Sequence, residues 1–105
     1  MQFDHLGMIT TEKKDEEIYV PATKVWVTDL RKNPFHIEWL RFEPDSPVTG
    51  PVRERPHVAY RVDSIREAAR GLKVLLEPFD AGPAVVGFYE TPDGGVVEFM
   101  EPKQE

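Results

Sequence analysis

Ten prolines divide this 105-residue chain into short segments and set the scale of anything it can fold into. Between them, several stretches have strand composition. Residues 3–9 (FDHLGMI) read as a strand, and so do residues 24–30 (KVWVTDL) and 35–42 (FHIEWLRF), rich in β-branched and aromatic side chains. Residues 31–34 form a turn between the last two, which predicts a hairpin. Residues 10–17 are charged and carry no apolar stripe, so they are expected as a loop or at most one helical turn. Residues 43–56 hold four prolines and a glycine and suit a connector.

The second half is more regular. Residues 57–62 are a strand, and Ser64 then opens a helix as N-cap, with Glu67 completing a capping box. Ile65, Ala68, Ala69 and Leu72 fall at i, i+3, i+4 and i+7, which predicts one short amphipathic helix ending near Gly71. Strands follow at 73–77, 85–90 and 96–101, the last two joined by the turn Thr91-Pro92-Asp93-Gly94-Gly95. This half reads β-α-β-β-β. The first half reads β-loop-β-β, as though the same module had lost its helix and a strand. The similar openings FDHLGMI and RPHVAYRV hint at an internal duplication.

A chain of this length makes one domain. Hydrophobic residues are 40% and charged residues 30%, an ordinary soluble composition. No apolar run approaches the ~18 residues of a membrane span, and no charged-then-apolar leader opens the sequence, so a cytoplasmic protein with no membrane partner is expected. Thirteen Lys and Arg against nineteen Asp and Glu give a net charge of −6, which argues against nucleic acid as a partner. The absence of cysteine excludes a disulfide, a zinc ribbon and a thiol nucleophile.

Period-two alternation sorts each strand into faces. Phe3, His5 and Gly7 share one, opposite Asp4, Leu6 and Met8. Glu38 lies with His36, Leu40 and Phe42, away from Ile37, Trp39 and Arg41. His57 shares a face with Ala59 and Arg61, and Glu98 with Val96 and Met100. Glu98 interrupts the apolar run Val96-Val97-Glu98-Phe99-Met100, where an unpartnered carboxylate would be costly to bury. A lone strand histidine is more often a hydrogen-bonded or surface residue, and Glu98 alone could pair with Arg61 or Lys73. Taken jointly, His5, Glu38, His57 and Glu98 form an N₂O₂ set suited to one divalent ion, Ni, Co, Mn, Fe or Zn, with two open positions.

The strings FDHLGMIT, IEWLRFEPDSP, PHVAYRVDSIREAARGLK and VVGFYETPDGGVVEFMEP resemble the vicinal oxygen chelate superfamily, which includes glyoxalase I, methylmalonyl-CoA epimerase, extradiol dioxygenases and bleomycin-resistance proteins. The run from Glu38 through Asp45-Ser46-Pro47 to His57 is most similar to methylmalonyl-CoA epimerases and their glyoxalase relatives. The resemblance implies an α+β fold of paired βαβββ modules forming a cup-shaped sheet. It implies a single glyoxalase-like domain over residues 1–105, with a reduced first module (1–50) and a complete second one (56–101). It also implies metal ligands at His5, Glu38, His57 and Glu98, with Glu98 and Glu38 as acid/base candidates. The implied activity is that of a lyase or isomerase: proton transfer next to a carbonyl through a metal-stabilised enolate. Alternatives are a non-catalytic, bleomycin-resistance-like ligand-binding protein, an Fe(II) extradiol dioxygenase, and a protein-interaction role.

Departures from the family pattern lie in the first module, where residues 10–20 (TTEKKDEEIYV) lack the usual helical stripe. One face of that half-sheet, including Ile37 and Trp39, is thereby expected to lose its cover and to favour a homodimer. Arg53, Arg55 and Arg61 surround His57 in sequence and could greet an anionic or thioester small-molecule substrate. Arg61, which alternation places on the face of His57, is the expected substrate-binding residue.

Overall fold

In the computed structural model, residues 1–103 are described. They form eight strands: β1 (Gln2–Ile9), β2 (Ile18–Val20), β3 (Val25–Val27), β4 (Ile37–Phe42), β5 (His57–Arg61), β6 (Lys73–Asp80), β7 (Ala84–Glu90) and β8 (Val96–Pro102). Two one-turn α-helices accompany them, α1 (Pro51–Glu54) and α2 (Ile65–Ala68), with a 3-10 turn at Leu30–Lys32. The strands make one sheet in the order β2-β3-β4-β1-β5-β8-β7-β6. It reads as two four-stranded modules placed back to back. Within each, the first strand pairs in parallel with the last, β1 with β4 and β5 with β8. The two first strands meet in an antiparallel seam at the centre. The sheet curls into a half-barrel around a cleft of about 510 Å³. The α+β architecture of paired modules expected from the sequence is present.

Local chemistry explains most boundaries. Ser64, in an extended conformation, accepts a hydrogen bond from the Glu67 amide and starts α2. The helix is shorter than its apolar periodicity predicts. A turn takes over at Ala69, and Gly71 (φ 82°) carries the chain away in a conformation that favours glycine. The predicted stripe still does its work, because Ile65, Ala68, Ala69 and Leu72 pack together with Tyr89 and Phe99 under the convex face of the second module. Pro51 at the first helical position opens α1 inside the stretch expected as a connector. Its Val52 joins Val48, Val86, Phe88 and Val96 in the other core cluster. Pro78 is tolerated in β6 because β6 is an edge strand.

The first module lacks a helix between β1 and β2, as expected, yet it has not lost a strand. Ile18–Val20 pairs antiparallel with β3 and completes the set of four. Ile37 and Trp39 are half-buried rather than bare. The segment 10–17 lies over their face, with the Lys14 ammonium 4.7 Å from the Trp39 ring centroid. Glu17 accepts two hydrogen bonds from Arg41, at 2.9 and 2.7 Å. Among the described residues, no helix is long and apolar enough to cross a membrane.

Candidate metal centre

The central strands place the four selected side chains in a checkerboard. In one row Glu38 of β4 stands beside Gly7 of β1, which stands beside His57 of β5. In the next, His5 of β1 is beside Ala59 of β5, which is beside Glu98 of β8. Each ligand-type side chain is therefore flanked by a small residue. The module pseudo-symmetry exchanges His5 with His57, Gly7 with Ala59 and Glu38 with Glu98.

The small residues are required by the large ones. The His57 ring lies over Gly7 so closely that a Cβ there would sit 2.1 Å from Cε1, 2.4 Å from Nε2 and 2.6 Å from Nδ1. Phe88 meets the same ring edge-on from the other side at 5.1 Å. Ala59 is fully buried, as are His5, His57 and Glu98 to within a few per cent, whereas the Glu38 side chain keeps 18% of its surface exposed.

The four side chains lie close together. His5 Nε2 is 3.5 Å from Glu38 Oε1 and 3.3 Å from Glu98 Oε1, and His57 Nε2 is 3.1 Å from the same Glu98 oxygen. His5, Glu38 and His57 each offer a ligand atom, all within 4.8 Å of one another. The two imidazoles stand edge to face at 5.7 Å. His5 Nε2 and both ring nitrogens of His57 are buried without a hydrogen-bond partner. The carboxylate oxygens are thus at ion-pair range but off the N–H directions, as donor atoms aimed at a shared point would be. Two imidazoles and two carboxylates fit a borderline-hard divalent ion, so these residues could hold one.

The electrostatics point the same way. Burial disfavours a charge on His5, but Glu38 and Glu98 at its Nε2 outweigh it and push the pKa up to about 11. Burial likewise opposes ionisation of Glu98, yet His5 and His57 overcome it and hold that carboxyl at about 2. A proton on His5 would balance the negative charge that the two carboxylates bring to the floor.

Alternation along β1 fails at one point. The register with β5 shifts between Phe3 and His5, a β-bulge that leaves Asp4 as the extra residue. Phe3, expected on the face of His5, instead packs edge-on against Tyr60 on the convex side. Asp4, expected opposite, lines the cleft with His5. Its Oδ2 lies 2.7 Å from His5 Nδ1 and its Oδ1 3.2 Å from Arg61 Nε. Sequence reasoning missed Asp4, and nothing in the local sequence marks the bulge.

Arg61 lines the cleft, as expected, with its side chain about half exposed. The other two arginines do not. Arg53 donates to the carbonyls of Glu43, Ser46 and Val48 and holds the 43–48 turn, while Arg55 reaches the Gly94 carbonyl and the Glu90 carboxylate. Neither Arg61 nor Lys73 pairs with Glu98, since they engage Asp4 and Glu90. Above the polar floor the cleft walls are apolar, with Val25, Leu40, Phe42, Leu76, Phe79 and Met100 among them.

No protein-family model and no curated protein matches the chain. Among solved structures, a glyoxalase/bleomycin resistance protein/dioxygenase superfamily member from Vibrio splendidus 12B01 is similar, with a TM-score of 0.46 and 12% sequence identity over 94% of this chain and 97% of that one.

Proposed function

We propose that this protein is a metal-dependent enzyme of the glyoxalase and epimerase type, moving a proton at a carbon next to a carbonyl. The observation that carries the reading is the convergence of two buried imidazoles, with orphaned nitrogens, and two carboxylates on the floor of an apolar cleft. His5, His57, Glu98 and Glu38 would hold the ion. When bound, it would supply Lewis-acid stabilisation of negative charge developing on the substrate's carbonyl oxygen.

The chain's own groups divide the remaining work. Glu98 is wedged between both imidazoles and keeps a fixed position. Glu38 lies 3.5 Å from His5 Nε2 and retains solvent exposure, so its carboxylate has the freedom to take a proton from carbon and return it. Arg61 offers a guanidinium at the cleft wall to a carboxylate or other anionic group of the substrate. The largely apolar walls lower the polarity around the floor and strengthen the charge interactions there.

Metal content per chain, on protein prepared without chelator or nickel affinity, tests the reading beside His5→Ala and Glu98→Ala. The expected result is near one equivalent in the wild type and loss in both variants. Hemithioacetals and 2-substituted acyl-CoA thioesters are then screened in D₂O for deuterium uptake at the carbon beside the carbonyl. A protein that takes up none of Ni, Co, Mn or Zn overturns the enzyme reading. The apolar walls also support a second reading, ligand capture without turnover. Saturable binding with no deuterium incorporation would favour it.

A further inference from the structure

We infer that Asp4 is a positioning residue for the floor of the cleft: its carboxylate fixes the His5 ring through Nδ1 so that Nε2 faces the other three donors. Resting on the metal reading above, this adds a residue outside the converging set. In a regular strand Asp4 and His5 would project to opposite faces. The extra residue opposite β5 lets both project into the cleft, and bulges re-aim side chains in this way beside functional sites.

Asp4 is then anchored at both oxygens. Oδ2 engages His5 Nδ1 at 2.7 Å, and Oδ1 engages Arg61 Nε at 3.2 Å across the central seam. The carboxylate is mostly buried, with 17% side-chain exposure, so it is a fixed acceptor rather than a mobile surface group. An acceptor at Nδ1 places a proton there and leaves Nε2 as the donor atom. That arrangement orients an imidazole ligand and raises its basicity.

His57 provides the internal comparison. Its Nδ1 has no partner, and its ring packs against Gly7 and Phe88. The symmetry-related Nδ1 is thus held without a carboxylate.

The test uses the full chain as wild type, Asp4→Asn and Asp4→Ala, with folding checked by thermal unfolding of the metal-free proteins. The first readout is the ring-nitrogen NMR spectrum of metal-free protein. The wild type is expected to show a protected, downfield Nδ1–H for His5, weakened in Asp4→Asn and absent in Asp4→Ala, with His57 unmoved. The second is Co(II) affinity by chelator competition, expected to fall about 10–100-fold in Asp4→Ala. Should Asp4→Ala fail to fold, the isosteric Asp4→Asn carries both readouts. A His5 Nδ1 resonance unchanged in the variants overturns the inference, and so does Co(II) affinity within twofold of wild type. A wild type that binds no Co(II) but shows the expected His5 resonances overturns the metal reading and supports the positioning role.

Discussion

Gly7→Ala offers the sharpest test of how the cleft floor is built. Gly7 has no positive φ, so alanine meets no backbone objection, and the nearest obstacle is the His57 ring. The new Cβ would begin 2.1 Å from Cε1. Carbon atoms at rest stand about 3.5 Å apart or more, so the ring or the strand must yield by roughly 1.4 Å. Phe88 and Glu98 back the ring and leave it no easy retreat. Over-packing of this kind costs about 1–3 kcal/mol. At about 4–8 °C per kcal/mol for a domain this size, the melting temperature falls by about 4–24 °C.

The assay is urea unfolding of wild type, Gly7→Ala, His57→Ala and the double variant. With the ring removed, the same glycine-to-alanine change should become neutral or stabilising by up to about 1 kcal/mol. The coupling between the two positions is then about 1–4 kcal/mol, with the Gly7 effect abolished or reversed in sign. Unequal m-values would show that the unfolding transition itself had changed. If Gly7→Ala costs as much without His57 as with it, the ring is not seated on the glycine and the reasoning fails.

Three further outcomes are expected. The charge on His5, with its raised pKa, contributes stability that is complete below pH 6.5 and is lost as pH climbs toward 11. The ionised Glu98 contributes stability that is present above pH 4.5 and is lost as pH falls toward 2. Metal-free protein should therefore melt highest between those two bounds, and a wild-type profile parallel to that of His5→Ala would count against the pairing. Glu17→Gln should loosen the segment 10–17 by removing the charge that Arg41 grips with two bonds, so trypsin should cut at Lys13 and Lys14 sooner; equal digestion rates would mean the pair does not pin the segment. The homodimer expected from the sequence would have to use the part of the first module's convex face that residues 10–17 leave half exposed, so sedimentation should show a dimer that Trp39→Glu converts to monomer, and a wild type that is monomeric throughout removes that expectation.

Much of this architecture is legible in the sequence because strand alternation and turn chemistry are local. The capping box at Ser64, the Pro92–Gly95 hairpin and the faces of β4, β5 and β8 follow from them, and those faces bring Glu38, His57 and Glu98 to one side of the sheet. The losses have physical causes. A three-residue edge strand such as Ile18–Val20 has too little length to show a period and is defined by its partner. The bulge at Asp4 depends on register across the seam, which no window along β1 contains. Arg53 and Arg55 read as free cations until the carbonyls they serve are brought near by the 43–48 turn and the β7–β8 hairpin.

The reduced first module need not weaken the cleft, and the reason lies in which face each device uses. In the complete module, α2 packs on the convex side, against Tyr89 and Phe99. The corresponding side of the first module is covered instead by the segment 10–17, through Lys14 on Trp39 and Glu17 on Arg41. The converging side chains all point the other way. Their spacing is set by the parallel pairs β1–β4 and β5–β8 and by the central seam, none of which needs a helix between β1 and β2. Losing that helix removes apolar cover and stability from the outer face while leaving the register of His5, Gly7 and Glu38 intact. The part of the first module under the tightest geometric constraint is therefore the seam, where one added methyl at Gly7 or one missing carboxylate at Asp4 would disturb an imidazole that no convex-face repair could restore.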